Sequence, residues 1–189
     1  MLLDLSWSMS WQRRFQAAKK VALALDHYIR TKFPRDKFHV VGFSTEAREL
    51  KGKELALAVW DMGYAFTNLQ AGIRKAAEFI KRSGTRNNRV IVLTDGQPTA
   101  YFEGEHTSVE FPATMFGVSP NACKATLAEV RKATAQGITI DTFMLDNNPV
   151  PVEFVRELSR INGGRAVVCM PGELGDLIML EEIKRRKIR

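Results

Sequence analysis

The sequence predicts an α/β fold in which helices cover both faces of a doubly wound, mostly parallel central sheet. Strand and helix patterns alternate along the chain, which is typical of this class. One strand, Val90 to Leu93, is entirely apolar, as expected where helices cover both of its faces. The 189 residues are enough for one such domain and too few for two ordinary ones. We therefore expect residues 1–189 to form a single domain.

The individual elements follow from hydrophobic spacing. Apolar residues recur every three or four positions in five segments, which predicts helices over residues 11–33, 67–82, 121–136, 151–161 and 174–183. Short apolar runs predict strands over residues 1–5, 37–43, 47–50, 90–93, 138–145 and 165–169. Thr67 or Asn68 is the expected N-cap of the second helix. The strand over residues 47–50 is followed by a short irregular or helical piece around residues 55–60, and we expect one edge of the sheet to lie here.

Two segments do not fit a regular domain. The first strand has almost no residues before Asp4, whereas a strand normally has about five or six. We therefore expect the chain to be the C-terminal part of a longer protein, or to have been trimmed at its start. Residues 97–120 form a long connection that contains Tyr101 and Phe102. Connections of this length are usually functional or disordered.

Composition excludes several classes of protein. No apolar run is long enough to span a membrane, and no secretion signal begins the chain, so we expect a cytoplasmic protein without membrane insertion. The formal charge is +7, and part of it comes from the basic residues after Glu182. A basic chain end is more typical of a solvated helix terminus than of a nucleic-acid site. Cys123 and Cys169 have no disulfide or metal-ligand spacing.

Oxygen donors follow two predicted strands. Asp4, Ser6 and Ser8 alternate directly after the first strand, and Asp95 ends the apolar run before Gly96. In an open parallel sheet such positions meet at one rim, and Thr67 lies in a loop that enters a helix. Oxygen-only ligands suit Mg²⁺ and would also accept Mn²⁺ or Ca²⁺. Zinc would require histidine or cysteine, and the three histidines fall in separate elements: His27, His39 and His106.

The same residues resemble a known site. Asp4-Leu5-Ser6-Trp7-Ser8, Thr67 and Thr94-Asp95-Gly96 are similar to the metal-ion-dependent adhesion site of von Willebrand factor type A (vWA) domains, over essentially the whole chain. The resemblance implies a Rossmann-like fold of the vWA type. It implies that Ser6, Ser8 and Thr67 ligate the ion directly or nearly so, with Asp4 and Asp95 acting directly or through water. A carboxylate from a partner protein would fill the open coordination position.

The resemblance also points to a class of partner. The long connection and the basic ending look like those of bacterial vWA domains that work beside AAA-type ATPases, including the magnesium chelatase subunit. The leading hypothesis is therefore a noncatalytic, Mg²⁺-dependent protein-binding module in an ATPase-driven or metal-insertion assembly. Trp7, Tyr101 and Phe102 are the candidate partner-binding rim, although core or rim packing is the favoured interpretation of Trp7 and Trp11.

Two alternatives compete with this hypothesis. A metal-dependent phosphoester hydrolase would use the ion to activate water, but the motif loops contain no histidine to act as a general base, and the chain has no P-loop. A basic nucleic-acid-associated domain is supported by the net charge and the basic run at the end of the chain. Its aromatic residues do not interleave with basic ones as they do in a stacking platform. We therefore expect a protein that is not an enzyme and does not bind nucleic acid.

Overall fold

The structure is a computed structural model that describes residues 1–60, 63, 65–85, 87–96, 98–112 and 119–187. The strands are β1 Leu2–Asp4, β2 Val41–Phe43, β3 Ala47–Glu49, β4 Asn88–Thr94, β5 Ala100–Glu103, β6 His106–Val109, β7 Ile138–Met144 and β8 Ala166–Val168. The helices are α1 Arg14–Lys32, α2 Lys53–Leu57, α3 Leu69–Ser83, α4 Pro120–Ala135, α5 Pro149–Asn162 and α6 Leu174–Lys187. A 3₁₀ segment, Trp7–Arg13, precedes α1.

Six strands form the central sheet in the order β3-β2-β1-β4-β7-β8. Every neighbouring pair is parallel except β2 and β3, which are antiparallel at one edge. Strands β1 and β4 lie in the middle, as the apolar composition of residues 90–93 predicts. The α/β class, the mostly parallel sheet and its edge near residue 47 are therefore confirmed.

Helices cover both faces of this sheet because side chains alternate along each strand. Leu3 and Leu93 pack on one face with residues of α1 and α6, including Leu25 and Ile178. Leu2 and Val92 pack on the other face, where the partners come from α3, α4 and α5: Ile73, Val130 and Val155. Burying each large side chain contributes about 1.5–3 kcal/mol, so the two layers together position the strand ends firmly. No helix in the described part of the chain is long and apolar enough to cross a membrane.

The start of the first long helix differs from the prediction. Residues 11–33 were expected to be helical, but α1 begins only at Arg14. Trp11 is extended, with ψ 151°, and the next two residues, Gln12 and Arg13, have positive φ angles of 51° and 60°. The spacing of apolar residues does not reveal two consecutive residues in the left-handed conformation, because that conformation is a property of the backbone. The strand predicted over residues 37–43 is likewise shorter and is limited to β2.

The long connection after β4 contains a β-hairpin, which the sequence analysis did not predict. Strands β5 and β6 are antiparallel, with Glu103 opposite His106. Gly104, at φ 65°, supplies the left-handed residue of the tight turn between them. Residues 97 and 113–118 of the connection lie outside the described residues. The N-cap prediction for α3 is resolved in favour of Asn68, whose side chain accepts a hydrogen bond from the Ala71 amide.

Candidate metal centre

Asp4 is the last residue of β1, and its carboxylate is fully buried. One carboxylate oxygen accepts a hydrogen bond from the Ser6 amide at 2.9 Å. The other accepts one from the Thr94 hydroxyl, at the end of the neighbouring strand β4, at 2.6 Å. These two bonds fix the carboxylate at the carboxyl end of the sheet.

The two serines that follow Asp4 lie side by side. Their Oγ atoms are 3.2 Å apart; Ser6 is fully buried, while Ser8 is half-buried. The loop is anchored at its start, where the Leu5 amide donates to the Phe43 carbonyl at 2.8 Å. The alternation predicted from the sequence therefore brings a carboxylate and two hydroxyls together.

A second buried carboxylate, Asp95, follows the end of β4. Burial is the main reason that the pKa of Asp4 rises to about 7, and the negative charge of Asp95 raises it further. Hydrogen bonds from Ser6 and Thr94 act in the opposite direction without offsetting these effects. Two carboxylates that are both buried and mutually repulsive form a site where a cation is favoured.

Thr67 reaches the same rim from the opposite face of the sheet. It is buried and lies two residues before α3. Its amide donates to the Thr99 hydroxyl at 2.9 Å, and its carbonyl accepts from the Thr99 and Ala100 amides. Two residues earlier, the Ala65 carbonyl accepts from the Trp7 amide at 3.1 Å, which holds this segment against the serine loop.

A basic residue that the sequence did not indicate also lies at this site. Arg14, the first residue of α1, is only 4% exposed, and its guanidinium lies 3.5 Å from an Asp95 carboxylate oxygen. The same group pairs with Asp146, just beyond β7, at 2.8 Å. A basic residue in the first turn of a helix is opposed by the helix dipole, and this position was the available signal. Asp146 follows the strand predicted over residues 138–145, where a simple turn is the interpretation that the sequence favours.

Two pairs of aromatic side chains include residues next to the candidate ligands in the chain. Trp7 is 42% exposed and packs edge-to-face on Trp11, with ring centroids 5.1 Å apart. Phe66, next to Thr67, makes a similar contact at 5.4 Å with Phe111, which is 77% exposed. We call the surface formed by Trp7, Trp11, Phe66 and Phe111 the aromatic rim.

The other two candidate rim residues lie on the hairpin. Both Tyr101 and Phe102 are half-buried on β5. The Phe102 ring lies under the Arg74 guanidinium of α3 at 4.5 Å, and its amide donates to the Gln70 side chain at 2.9 Å. These contacts attach the hairpin to the flank of α3. Their assignment to a partner-binding rim stays a prediction, and Phe66 is an aromatic residue at this edge that the sequence did not indicate.

The histidines lie elsewhere. His27 is exposed on α1 and His106 is exposed on β6, whereas His39 stacks on Phe79 and pairs with Glu49. Within the described residues, no group of three or more histidine, cysteine, aspartate and glutamate side chains could hold a metal ion. The candidate centre is of a different kind, with two carboxylates and neighbouring hydroxyls. This donor set fits a hard divalent cation such as Mg²⁺.

Comparison with known proteins decides the family. The family model described as "Rv0959-like protein, vWA domain" matches residues 1–182. The chain belongs to this vWA family. The Mycobacterium tuberculosis protein Rv0959 is 29% identical over 192 residues, a match that covers 99% of this chain and 28% of that protein. The Mycobacterium bovis protein Mb0984 matches to the same extent. The vWA domain described here thus spans less than a third of the length of these relatives.

Solved structures share the fold at low sequence identity. The pilus adhesin SpaC of Lactobacillus rhamnosus GG superposes with a TM-score of 0.72 at 14% identity, covering 97% of this chain and 30% of SpaC. BatB of Bacteroides thetaiotaomicron gives 0.66 at 15% identity, covering 100% and 97% of the two chains. The SpRpn10 VWA domain gives 0.63 at 15% identity, covering 94% and 90%. The Rossmann-like vWA fold is therefore shown, and vWA domains are often protein-interaction modules.

Proposed function

We propose that this vWA domain is a divalent-metal-dependent protein-binding module. Ser6, Ser8 and Thr67 would hold Mg²⁺ directly or nearly so, and Asp4 and Asp95 would do so directly or through water. Mn²⁺ or Ca²⁺ would be accepted by the same oxygen ligands. When bound, the ion would offer an open coordination position to a carboxylate of the partner protein.

One observation carries this proposal: two fully buried carboxylates lie beside a pair of hydroxyls at the carboxyl ends of the two central strands. Burial and like charge together disfavour the ionised state of Asp4. A divalent cation would reverse this effect, because it favours the ionised form of each ligand. The Thr94 hydroxyl and the Ser6 amide hold the Asp4 carboxylate in place without neutralising it.

The aromatic rim supports a protein as the binding partner. Exposed aromatic side chains are enriched at protein interfaces, and here Trp7 is adjacent to both serines of the candidate centre. Phe111 offers a second exposed ring, held edge-to-face by Phe66. We infer that the partner presents an acidic residue flanked by apolar side chains. The resemblance to bacterial vWA domains that work beside AAA-type ATPases makes such an ATPase the first partner to test.

The proposed role is noncatalytic. A hydrolase would need a general base within hydrogen-bond reach of the attacking water. The two carboxylates at the centre are assigned to the cation, and all three histidines are placed on other parts of the domain.

The test is a calorimetric titration of the domain with Mg²⁺ after treatment with a chelator. The wild-type domain should bind one ion, and Asp95→Ala should reduce the affinity at least about a hundredfold, because it removes a buried charged ligand. Asp176→Asn is the matched control, since Asp176 is an exposed acid on α6. It should bind Mg²⁺ like the wild type.

A second titration addresses the partner. A peptide with one glutamate between leucines should bind the Mg²⁺-loaded wild type more tightly than the same peptide with glutamine, and Trp7→Ala should weaken this binding. If the folded wild type binds neither Mg²⁺ nor Mn²⁺ at millimolar concentrations, metal dependence is ruled out. If it binds metal but has the same affinity for the two peptides, recognition of a partner carboxylate is ruled out, and the proposal of a metal site is retained.

A further inference from the structure

The guanidinium of Arg14 lies between two carboxylates at the candidate centre. Its contact with Asp146 is short, 2.8 Å, and its contact with Asp95 is longer, 3.5 Å. The Arg14 side chain is 5% exposed and that of Asp95 is fully buried, so the longer ion pair is shielded from solvent. Asp95 is one of the proposed ligands of the metal ion. Arg14 therefore places a fixed positive charge directly beside a metal ligand.

This position is unusual for an arginine. Burial of a guanidinium costs free energy that its ion pairs must offset, and the start of a helix repels positive charge. The turn that directs Arg14 inward uses Gln12 and Arg13 in the left-handed conformation, which is rare for residues with side chains. Strain of this kind is typical of functional sites. The Gln12 side chain also accepts a hydrogen bond from Arg14 at 3.3 Å, so the strained turn holds the guanidinium in place.

We propose that Arg14 is a resident cation of this centre, which competes with the divalent ion for Asp95 and so sets the metal affinity. The inference rests on the proposed function, because it assumes that Asp95 is a metal ligand. In the metal-free domain, Arg14 offsets the charge of Asp95 and Asp146 and keeps the buried acidic cluster folded. In the metal-loaded domain, its positive charge opposes the ion.

The unequal contacts of Arg14 make such competition possible. Because the short contact is to Asp146, the guanidinium can keep this partner while Asp95 turns toward the ion. Its Nε atom is buried without a hydrogen-bond partner among the described residues, so one donor of the guanidinium is not used by its present contacts. Arg14 thus has a close ion pair with Asp146 and a longer one with Asp95, and the metal ion would replace Arg14 as the partner of Asp95. Arg14 is a positioning residue, since it acts on the ion through Asp95 and by charge.

The experiment compares Mg²⁺ affinity and Mg²⁺-induced stabilisation in four proteins. Arg14→Gln removes the charge and keeps an amide able to donate to Asp146. Arg14→Lys keeps the charge and loses the planar fork. Arg13→Gln is the matched control, because it removes an exposed arginine from the same left-handed turn. Each protein, with the wild type, is titrated with Mg²⁺ by calorimetry and heated with chelator or with 10 mM Mg²⁺, an order-of-magnitude excess for a weak site.

Arg14→Gln should bind Mg²⁺ about tenfold more tightly than the wild type or better, since a nearby like charge is removed from a poorly solvated site. In chelator it should have a lower melting temperature than the wild type, and its melting temperature should rise more than that of the wild type when Mg²⁺ is added. Arg14→Lys and Arg13→Gln should bind Mg²⁺ within about threefold of the wild type. A purely structural arginine would instead give weaker Mg²⁺ binding on substitution, because the ligands would be less well ordered.

The outcomes separate this inference from the proposed function. Wild-type Mg²⁺ binding that is unchanged or weakened by Arg14→Gln overturns the role of Arg14 and leaves the metal site standing. Binding by folded Arg14→Gln but not by wild type supports Arg14 as the resident cation and overturns metal dependence of the natural domain. If the folded wild type, Arg14→Gln and Arg14→Lys all fail to bind, both proposals are wrong. If Arg14→Gln is unfolded even in Mg²⁺, the test depends on Arg14→Lys, which keeps the positive charge. A Mg²⁺ affinity within about threefold of the wild type would support control by charge, and a tenfold change would contradict it.

Discussion

Replacing Thr94 with valine tests whether hydrogen bonding, and not only packing, holds the candidate centre together. The Thr94 side chain is fully buried at the end of β4. Its hydroxyl donates to the Asp4 carboxylate at 2.6 Å and accepts from the Gly96 amide at 3.0 Å. Valine has nearly the same shape and keeps the preference for a strand, so the substitution removes both bonds and little else.

The expected loss can be worked out from these two bonds. A hydrogen bond to a charged group contributes about 1.5–3 kcal/mol, and an amide left unpaired in the interior costs about 1–3 kcal/mol. We expect Thr94→Val to lower the free energy of unfolding by about 3 kcal/mol, which corresponds to a fall in melting temperature of about 6–12 °C for a domain of this size. The assay is thermal and urea unfolding at pH 8 in chelator, so that metal does not contribute.

Thr142 provides a matched control on the neighbouring strand β7. It is also fully buried, but its hydroxyl has no hydrogen-bond partner among the described residues. Thr142→Val should therefore be neutral, or stabilising by up to about 1 kcal/mol, because it removes a polar group that gains nothing from burial. If both valine variants lose the same stability, packing differences rather than the two hydrogen bonds of Thr94 explain the loss, and our account of the centre is wrong.

Two further predictions concern the frame around the site. A Cβ atom on Gly164 would lie 1.9 Å from the Ile140 carbonyl oxygen, whereas one on Gly172 would meet nothing within 4 Å. Gly164→Ala should thus lower the free energy of unfolding in urea by at least about 2–3 kcal/mol, whereas Gly172→Ala should change it little. Equal losses of stability in the two variants would contradict this prediction. Burial raises the pKa of Asp141, but the charges of Arg89 and Arg165 and the hydrogen bonds from both residues together outweigh it and hold the pKa below 3.8. The carboxylate therefore contributes stability above its unfolded pKa that is lost as the pH falls below about 4. Asp141→Asn should flatten the fall in melting temperature between about pH 4 and pH 2, and parallel curves for the two proteins would refute this role.

The order of elements could be predicted from the sequence because it depends on short-range patterns. The apolar run at residues 90–93 predicted a central strand, and β4 is central. Helix α3 is capped at its start by Asn68, whose side chain accepts a hydrogen bond from an amide, and at its end by Gly84, which is in the left-handed conformation. Both caps depend on neighbouring residues in the chain, so the sequence can indicate them. Contacts between Asp4, Ser6 and Ser8 were also predictable, since they lie within five residues of one another.

What the sequence did not reveal depends on tertiary structure. Arg14 meets Asp95 and Asp146 only after three strands have been brought side by side, so no spacing in the sequence indicates the ion pairs. The delayed start of α1 results from positive φ angles at Gln12 and Arg13, which residue type alone does not predict. The hairpin after β4 was missed because its strands are only four residues each and carry mixed polar and apolar side chains.

The position of the candidate centre follows from the path of the chain through the sheet. From β1 the chain passes through α1 to β2 on one side, and then through α3 to β4 on the other side of β1. The two helices pack on opposite faces, as their separate core clusters show. In open α/β sheets, ligands bind at the carboxyl ends of two neighbouring strands whose connections leave in opposite directions, and β1 and β4 are such a pair. Asp4 ends β1 and Asp95 directly follows β4. Arg14 begins α1, and Thr67 lies just before α3. The topology thus fixes where a cation is favoured, whereas a single residue of α1 would determine how strongly a divalent ion competes for the site.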